Sequence, residues 1–452
     1  MDSLKLILLA IIVMLFMSSC QLKNLNKPNI VEKIVDEKSK LGNSLEVEIN
    51  NVNIREDDEL TQRALDNARF DYILTSKGKL NNPNLDMKLA NFTVNKNFNI
   101  EDTKPYNVDL MYKKYLMPKD FFLITKDKVN IYNKPTTEAN IMGEVYIYEK
   151  LKVLNEVVGQ YVENGNSDKW YSVVWMNKEG DSFYGFVPSN AGELRSFRFS
   201  KMHNLIVDFE KELNKNRYGY VSNYKDINGS PPLINNKGVD KYGIQAYQSA
   251  PLYFDINNKS EIRYVPDGMM VFIIDEIKGY YKVRIMDYEG EYWIPKKYVS
   301  LDNNLDFLSK VVVVDITNQN QGVFEKRDNK WTLVSYGLVT TGTEGKASYV
   351  TPIGKFKVLE KKDRFYYLNQ NSNDIAGYAP YGIRFAQGAY IHGVPVEYVK
   401  QDGKNIDPGM KEFLFTIGTF PRSHKCVRNY TSHAKFLYDW LDVNDSIVIV
   451  FK

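Results

Sequence analysis

Hydrophobic and polar positions change rhythm several times along this chain of 452 residues. An unbroken apolar run from Leu6 to Met17 opens it, well short of the roughly 20 residues that cross a bilayer, and reads as a secretion leader. From residue 21 to 118 Asn, Lys, Asp and Glu dominate, and too few apolar groups recur to offset the entropy of ordering. That composition predicts a polar spacer holding one helix, in DDELTQRALDNARFDYI, where Leu60, Ala64, Ala68 and Tyr72 recur at helical spacing behind an acidic first turn. Past Asp120 the rhythm shortens to strand-like runs separated by Gly, Asn, Asp and Pro, and it does so twice. KWYSVVWMNKEGDSFYGFVPSNA is echoed by GYYKVRIMDYEGEYWIPKKYV. Each copy has an aromatic pair (Trp170 and Tyr171; Tyr280 and Tyr281), a polar hairpin, and an aromatic-aliphatic-proline ending (Phe186, Val187, Pro188; Trp293, Ile294, Pro295). Between them MHNLIVDFEKELNKN predicts a helix and NGSPPLINNKG a loop. Toward the C terminus VVVVDITNQNQGVFEK predicts strand, turn and strand, and TGTEGKASYVTPIGKFKVLEKK a glycine-punctuated loop entering another strand. TSHAKFLYDWLDV then places Ala434, Leu437, Tyr438 and Leu441 on one helical face behind the capping candidates Thr431 and Ser432, and SIVIVF ends the chain as a buried strand.

A chain this long predicts two to four folding units. Its 32 Tyr and 23 Phe favour strands, so the fold class expected is mainly β, with two small barrels ahead of a β-rich terminal domain carrying a short helix. The boundaries expected are 1–20 for the leader, 21–118 for the spacer, 120–191 and 242–301 for the repeats, 192–241 for the connector and 306–452 for the terminal domain. A net charge of +3 without a concentrated basic face argues against nucleic acid as a partner.

The two repeats resemble bacterial SH3-like barrels, which in secreted cell-wall enzymes look like wall-targeting modules; taken one by one, their aromatics read first as the filling of a small core. The end of the leader, MSSC, resembles the lipobox of bacterial lipoproteins. That resemblance implies lipidation of Cys20, a membrane anchor and a place in the cell envelope facing the wall, with a plain secretion signal or uncleaved anchor as alternatives. Gln21 is not the aspartate of an inner-membrane retention signal, so the sequence leaves both the inner membrane and, where the host has one, the outer membrane open. One thiol is then left, and no intrachain disulfide can form.

That thiol, Cys426, sits in TFPRSHKCVRN with His424 and Arg428 two residues to either side, on its own face if the segment is extended. A cysteine nucleophile acts as thiolate, so it needs a proton acceptor or positive field, and backbone N–H groups aimed at the oxyanion it creates. Taken alone, SHKC reads first as an ordinary turn around a buried thiol. Its company changes this: VVDITNQNQGVFE, TGT, TPIGKF, IHG and SHKCVRN occur in this order and together resemble the YkuD-like L,D-transpeptidase catalytic domain, from about Leu308 to Lys452.

The resemblance implies a mostly β fold, Cys426 as nucleophile and His392 as base, the latter oriented by the carbonyl of Gly393. It implies an oxyanion held by backbone N–H groups around Lys425 and Cys426, with Ser423, His424 and Asn429 as loop supports. Arg428 either pairs with a substrate carboxylate or braces the loop. The substrate implied is a peptidoglycan tetrapeptide stem: its terminal D-alanine leaves, a thioester forms, and an amine completes a 3,3 cross-link, or water an L,D-carboxypeptidase reaction. No cofactor and no metal are implied. Lys425 stands where the family usually has glycine, so a positive φ there would strain it, and the segment between His392 and Ser423 is longer than usual and is expected to form a lid or subsite wall. His203 and His433 read as packing or solvent-facing residues.

Four alternatives stay open. His392, His424 and Cys426 could make a two-His, one-Cys zinc site, although no HExxH or paired CxxC supports it. Papain-like amidohydrolases carry similar modules, but their cysteine precedes their histidine. SNYK at Ser222 to Lys225 matches the serine penicillin-binding motif without its KTG partner. A catalytically decayed, lipid-anchored wall-binding protein is the non-enzymatic reading, with Lys425 as its best support.

Overall fold

The structure, a computed structural model, describes residues 47–49, 91–99, 104–176, 182–234, 236–345, 349–369 and 374–452. The leader with Cys20, and the helix expected around Leu60 to Tyr72, lie outside the described residues. Strands dominate the rest, and the α-helices among the described residues are α1 (Phe199–Lys215) and α2 (Thr431–Trp440).

Both sequence repeats form the same hairpin. In the first, Trp170 pairs with Pro188 and Tyr171 with Val187; in the second, Tyr280 pairs with Pro295 and Tyr281 with Ile294. Alternation across the pleat then sends Tyr171 and Val187, or Tyr281 and Ile294, into a buried layer. Trp170 is fully buried, its indole N–H donating to the Gln160 carbonyl at 2.8 Å, whereas Tyr280 and Trp293 are only partly covered. The sheets extend past the repeats. Gly192–Ser196 pairs with Asp120–Ile124 in the first, and Arg217–Val221 pairs with Met270–Ile277 in the second, so the start and the middle of the expected connector join the sheets of the modules.

Between the modules, α1 carries Met202, Ile206 and Phe209 at helical spacing. They fill the space between Met270 and Phe272 of the second module and Val311, Val313 and Ile449 of the terminal domain. His203 lies in the same layer, 5.6 Å from the Tyr106 ring, and burial lowers its pKa.

The terminal domain is built on two sheets. Lys310–Asp315 and Ser446–Phe451 pair in parallel at the centre of a six-stranded sheet, and burial on both faces explains their continuous apolar runs. The second sheet runs Glu360–Leu368, Ile375–Ala386, Ala389–His392 and Val427–Arg428, and α2 packs on it. Asn107–Val108, from the segment whose average composition reads as spacer, pairs in parallel with Thr332 and Leu333 and completes the six-stranded sheet. A local aromatic cluster explains this: Tyr106 enters the α1 layer, Tyr112 stacks on His433, and Tyr115 packs on Tyr430. The short strand Val47–Ile49 pairs with Lys404–Asp407.

Both modules are docked on this domain. Arg198 of the stretch following the first module grips Asp315 with two bonds of 2.7 Å, and Arg195 donates to the Thr317 carbonyl at 2.6 Å. The second module shares one hydrophobic core with the terminal domain, running from Val271 and Val283 to Val312, Phe385 and Val448. A buried Arg384–Asp267 ion pair at 2.6 Å crosses that boundary, as does the Lys357 amide donating to the Gly268 carbonyl at 3.0 Å. Gly268, at φ +86°, comes so close to the Phe385 carbonyl that a Cβ would lie 2.0 Å from it, so only glycine fits.

Candidate active site

The Ala389–His392 and Val427–Arg428 strands pair in parallel, Ile391 opposite Val427 and His392 opposite Arg428. This register puts Arg428 on the face of His392 while Val427 points into the core; Cys426 immediately precedes the strand, and its sulfur acts on the Arg428 charge. Cys426 is 8% exposed, with Sγ 3.8 Å from the Gly388 carbonyl. The loop ahead of it is bracketed by VTTGT: the Arg428 amide donates to Thr340 O at 2.8 Å, the amides of Arg422 and Ser423 reach Thr341 O at 2.9 and 3.0 Å, and the Thr343 amide returns to Ser423 O at 3.0 Å.

Of the side chains expected to support the loop, Ser423 and Asn429 have hydrogen bonds around it, and His424 is exposed. Ser423, fully buried, donates its hydroxyl to the Cys426 carbonyl. Asn429 accepts from Gln321 Nε2 at 2.7 Å and donates to Val427 O at 3.3 Å. Thr351 was not singled out from sequence, although it opens the quoted TPIGKF; its hydroxyl donates to Lys425 O and accepts from the Gly342 amide, both at 2.8 Å, tying two motifs to the cysteine loop.

His392 Nδ1 lies 2.6 Å from the Gly393 carbonyl. A carbonyl only accepts, so Nδ1 carries the hydrogen and Nε2 keeps its lone pair. Burial, and after it the Arg428 charge, push this imidazole down to about 4 against the pull of the carbonyl, so it is neutral at neutral pH. Gly393 itself is fixed by its amide bond to Pro380 O at 2.8 Å, and a Cβ there would press on Thr431 at 2.9 Å. Burial also lowers Arg428, with the Cys426 sulfur opposing the shift, so cation and sulfur share one field. The Arg428 Nε is buried without a hydrogen-bond partner among the described residues. The His424 side chain is exposed at the surface, and its pKa is lowered by partial desolvation and then by Arg428. His433 is packed: it meets Ser335 Oγ at 2.7 Å, stacks on Tyr112 at 4.6 Å, and burial brings it to about 3.

Lys425 has φ +91°, a conformation that costs a residue other than glycine on the order of 1–3 kcal/mol. Its ammonium donates to Gln245 Oε1 at 2.7 Å and Gln387 Oε1 at 2.9 Å and lies 5.2 Å from the Tyr349 ring centre. The long segment after His392 is anchored through buried Met410, Glu412, Phe413 and Ile417. Thr431 and Ser432 do not cap α2. The N-cap position is Tyr430, and the Glu412 carboxylate from the long segment takes the Ser432 amide at 2.9 Å. The first module braces the far side of the segment, with the Tyr148 ring 5.9 Å from Phe415 and 6.2 Å from Phe420. Among the described residues no three His, Cys, Asp or Glu side chains form a group able to hold a metal ion, so His392, His424 and Cys426 do not make the zinc set.

Residues 309–450 match the family model "YkuD: L,D-transpeptidase catalytic domain". Solved structures similar to this chain include an L,D-transpeptidase from Mycobacterium smegmatis, 15% identical, covering 42% of this chain and 89% of that one with a TM-score of 0.25. L,D-transpeptidase 3 from Mycobacterium tuberculosis is 16% identical over 41% of this chain and 92% of its own, with a TM-score of 0.26. A fused Zn-dependent amidase/peptidase/peptidoglycan-binding domain-containing protein from Clostridium acetobutylicum is 18% identical over 32% of this chain, with a TM-score of 0.22; this chain spans about half, 52%, of its length. No curated protein matches. With overlaps this low the family match and the order of motifs carry the assignment: residues 309–450 form a YkuD-type β domain, the type that the matching family model describes as an L,D-transpeptidase catalytic domain.

Proposed function

We propose that this chain cross-links peptidoglycan by acyl transfer through Cys426. His392 Nε2 takes the Sγ proton, and the thiolate attacks the carbonyl carbon between the third stem residue and terminal D-alanine. Backbone N–H groups around Lys425 and Cys426 hold the oxyanion. The imidazolium returns its proton to the departing D-alanine nitrogen as the C–N bond breaks, leaving a thioester. An amine of a neighbouring stem attacks the thioester, gives up a proton to His392 and regenerates the thiol, so a 3,3 link forms with no input of ATP. The observation that carries this reading is the Nδ1 contact with the Gly393 carbonyl at 2.6 Å, which leaves the other ring nitrogen as acceptor on a strand paired with the one that Cys426 leads into.

The same thioester resolved by water would make the protein an L,D-carboxypeptidase. Mass analysis of muropeptides after incubation with a tetrapeptide substrate separates the two: 3,3 dimers are expected, shortened tripeptides alone would mean hydrolysis, and products unchanged in Cys426→Ala would overturn the cysteine mechanism. We also read Cys20 as a lipid anchor in a bacterial envelope membrane and the two modules as SH3-like wall binders, the latter supported by their common hairpin register.

A further inference from the structure

The second module reaches the cysteine loop through one side chain. Lys425 immediately precedes Cys426, and its backbone has little room to relax. A Cβ on Gly342 would lie 2.6 Å from the Lys425 Cα, and Thr351 holds the Lys425 carbonyl at 2.8 Å. The left-handed conformation at φ +91° is therefore imposed on a residue that does not favour it. What holds the side chain is an amide pair. Gln245 belongs to the second module and Gln387 to the terminal domain, and each is 3% exposed. Gln387 is in turn pinned to the second module: its Nε2 donates to Ser249 Oγ at 2.8 Å and Tyr247 O at 3.2 Å, and its amide to Asp267 O at 3.3 Å. Both oxygens that receive the ammonium are thus set by the second module, 180 and 38 residues away in the chain.

We propose that Lys425 is a positioning residue for Cys426, and that Gln245 and Gln387 form the clamp by which the second module fixes the cysteine loop. The module is then part of the construction of the active site. The clamp keeps residue 425 in the left-handed conformation, and with it the direction of the Cys426 amide and sulfur. This rests on the reading of Cys426 as the nucleophile.

Two rates measured on the full chain test it: alkylation of Cys426 by iodoacetamide, followed by peptide mass, and 3,3 dimer formation from a tetrapeptide. Gln245→Ala and Lys425→Met cut the clamp from its two ends, and each is expected to slow both rates roughly tenfold, the factor that corresponds to about 1.4 kcal/mol of lost positioning. Glycine accepts positive φ without a clamp, so in the Lys425→Gly background Gln245→Ala is expected to have no added effect. A general loosening of the module would slow Gln245→Ala equally in either background and leave Lys425→Met at the wild-type rate, and that pattern overturns the proposal. So does a wild-type rate in both clamp variants. Should the wild-type chain form no dimer while alkylation still shows the coupled pattern, the transpeptidase reading falls and the clamp stands.

Discussion

At the scale of single residues the decisive group is an imidazole kept neutral by its surroundings. With its pKa pushed down to about 4, His392 is expected to titrate by NMR well below an ordinary histidine. In Arg428→Gln the value should rise but stay below the ordinary one, because burial is the larger cause; an unchanged value would mean that the guanidinium does not act on the ring. The same shift affects stability. The folded form binds this proton less readily than the unfolded form, so the contribution is complete above about pH 6.5 and is lost as pH falls toward 4, at about 1.4 kcal/mol per unit. Buried His433, at about 3, adds in the same direction. The urea midpoint should therefore drop between pH 7 and pH 5, and a flat profile would contradict neutral burial of the two rings. Motif order made Cys426, His392 and the Gly393 carbonyl legible, and Lys425 in place of glycine flagged the strained backbone. Gln245, Gln387 and Glu412 were not legible, because their roles come from contacts that no local pattern records.

Among the elements, α2 shows how a local signal misleads. Thr431 and Ser432 are good capping types directly before an apolar stripe, yet the helix begins one residue earlier in the chain than that reading places it. The Thr431 hydroxyl instead donates to Lys411 O and accepts from the Val394 amide, and Glu412 supplies the carboxylate at the helix terminus. Glu412→Ala is expected to destabilise the protein by about 1–2 kcal/mol in urea unfolding, since it removes a buried charged acceptor from the amide and hydroxyl of part-buried Ser432. A change below a few tenths would assign the cap to another group. The hairpins, by contrast, were readable: an aromatic pair and a proline-terminated partner fix both faces and the register. Trp170→Ala should cost about 3–5 kcal/mol as a cavity in the first module, measured the same way.

The whole molecule departs most from the picture of separate units on a spacer. Turn signals and composition marked the modules, but averaged composition hid the aromatic cluster of residues 106 to 115, and no single-sequence pattern reports that two units share a core. The Arg384–Asp267 pair lies in that shared region, and Arg384→Met would leave a buried carboxylate without its cation, at a cost of about 3–5 kcal/mol. One cooperative transition, shifted as a whole, is expected; a separate transition confined to the second module would contradict the shared core. At the other end of the chain, fatty-acid labelling that disappears in Cys20→Ala is the expected sign of the lipid anchor, and labelling that persists would place the anchor elsewhere.

A covalent thioester on Cys426 is what intact-mass analysis of the purified protein mixed with a tetrapeptide stem would read out. A tripeptide acyl group on Cys426 is expected in the wild-type chain, its accumulation slowed by orders of magnitude in His392→Ala. Turnover with no adduct on Cys426, or an adduct that forms as fast without the imidazole, would contradict the cysteine mechanism.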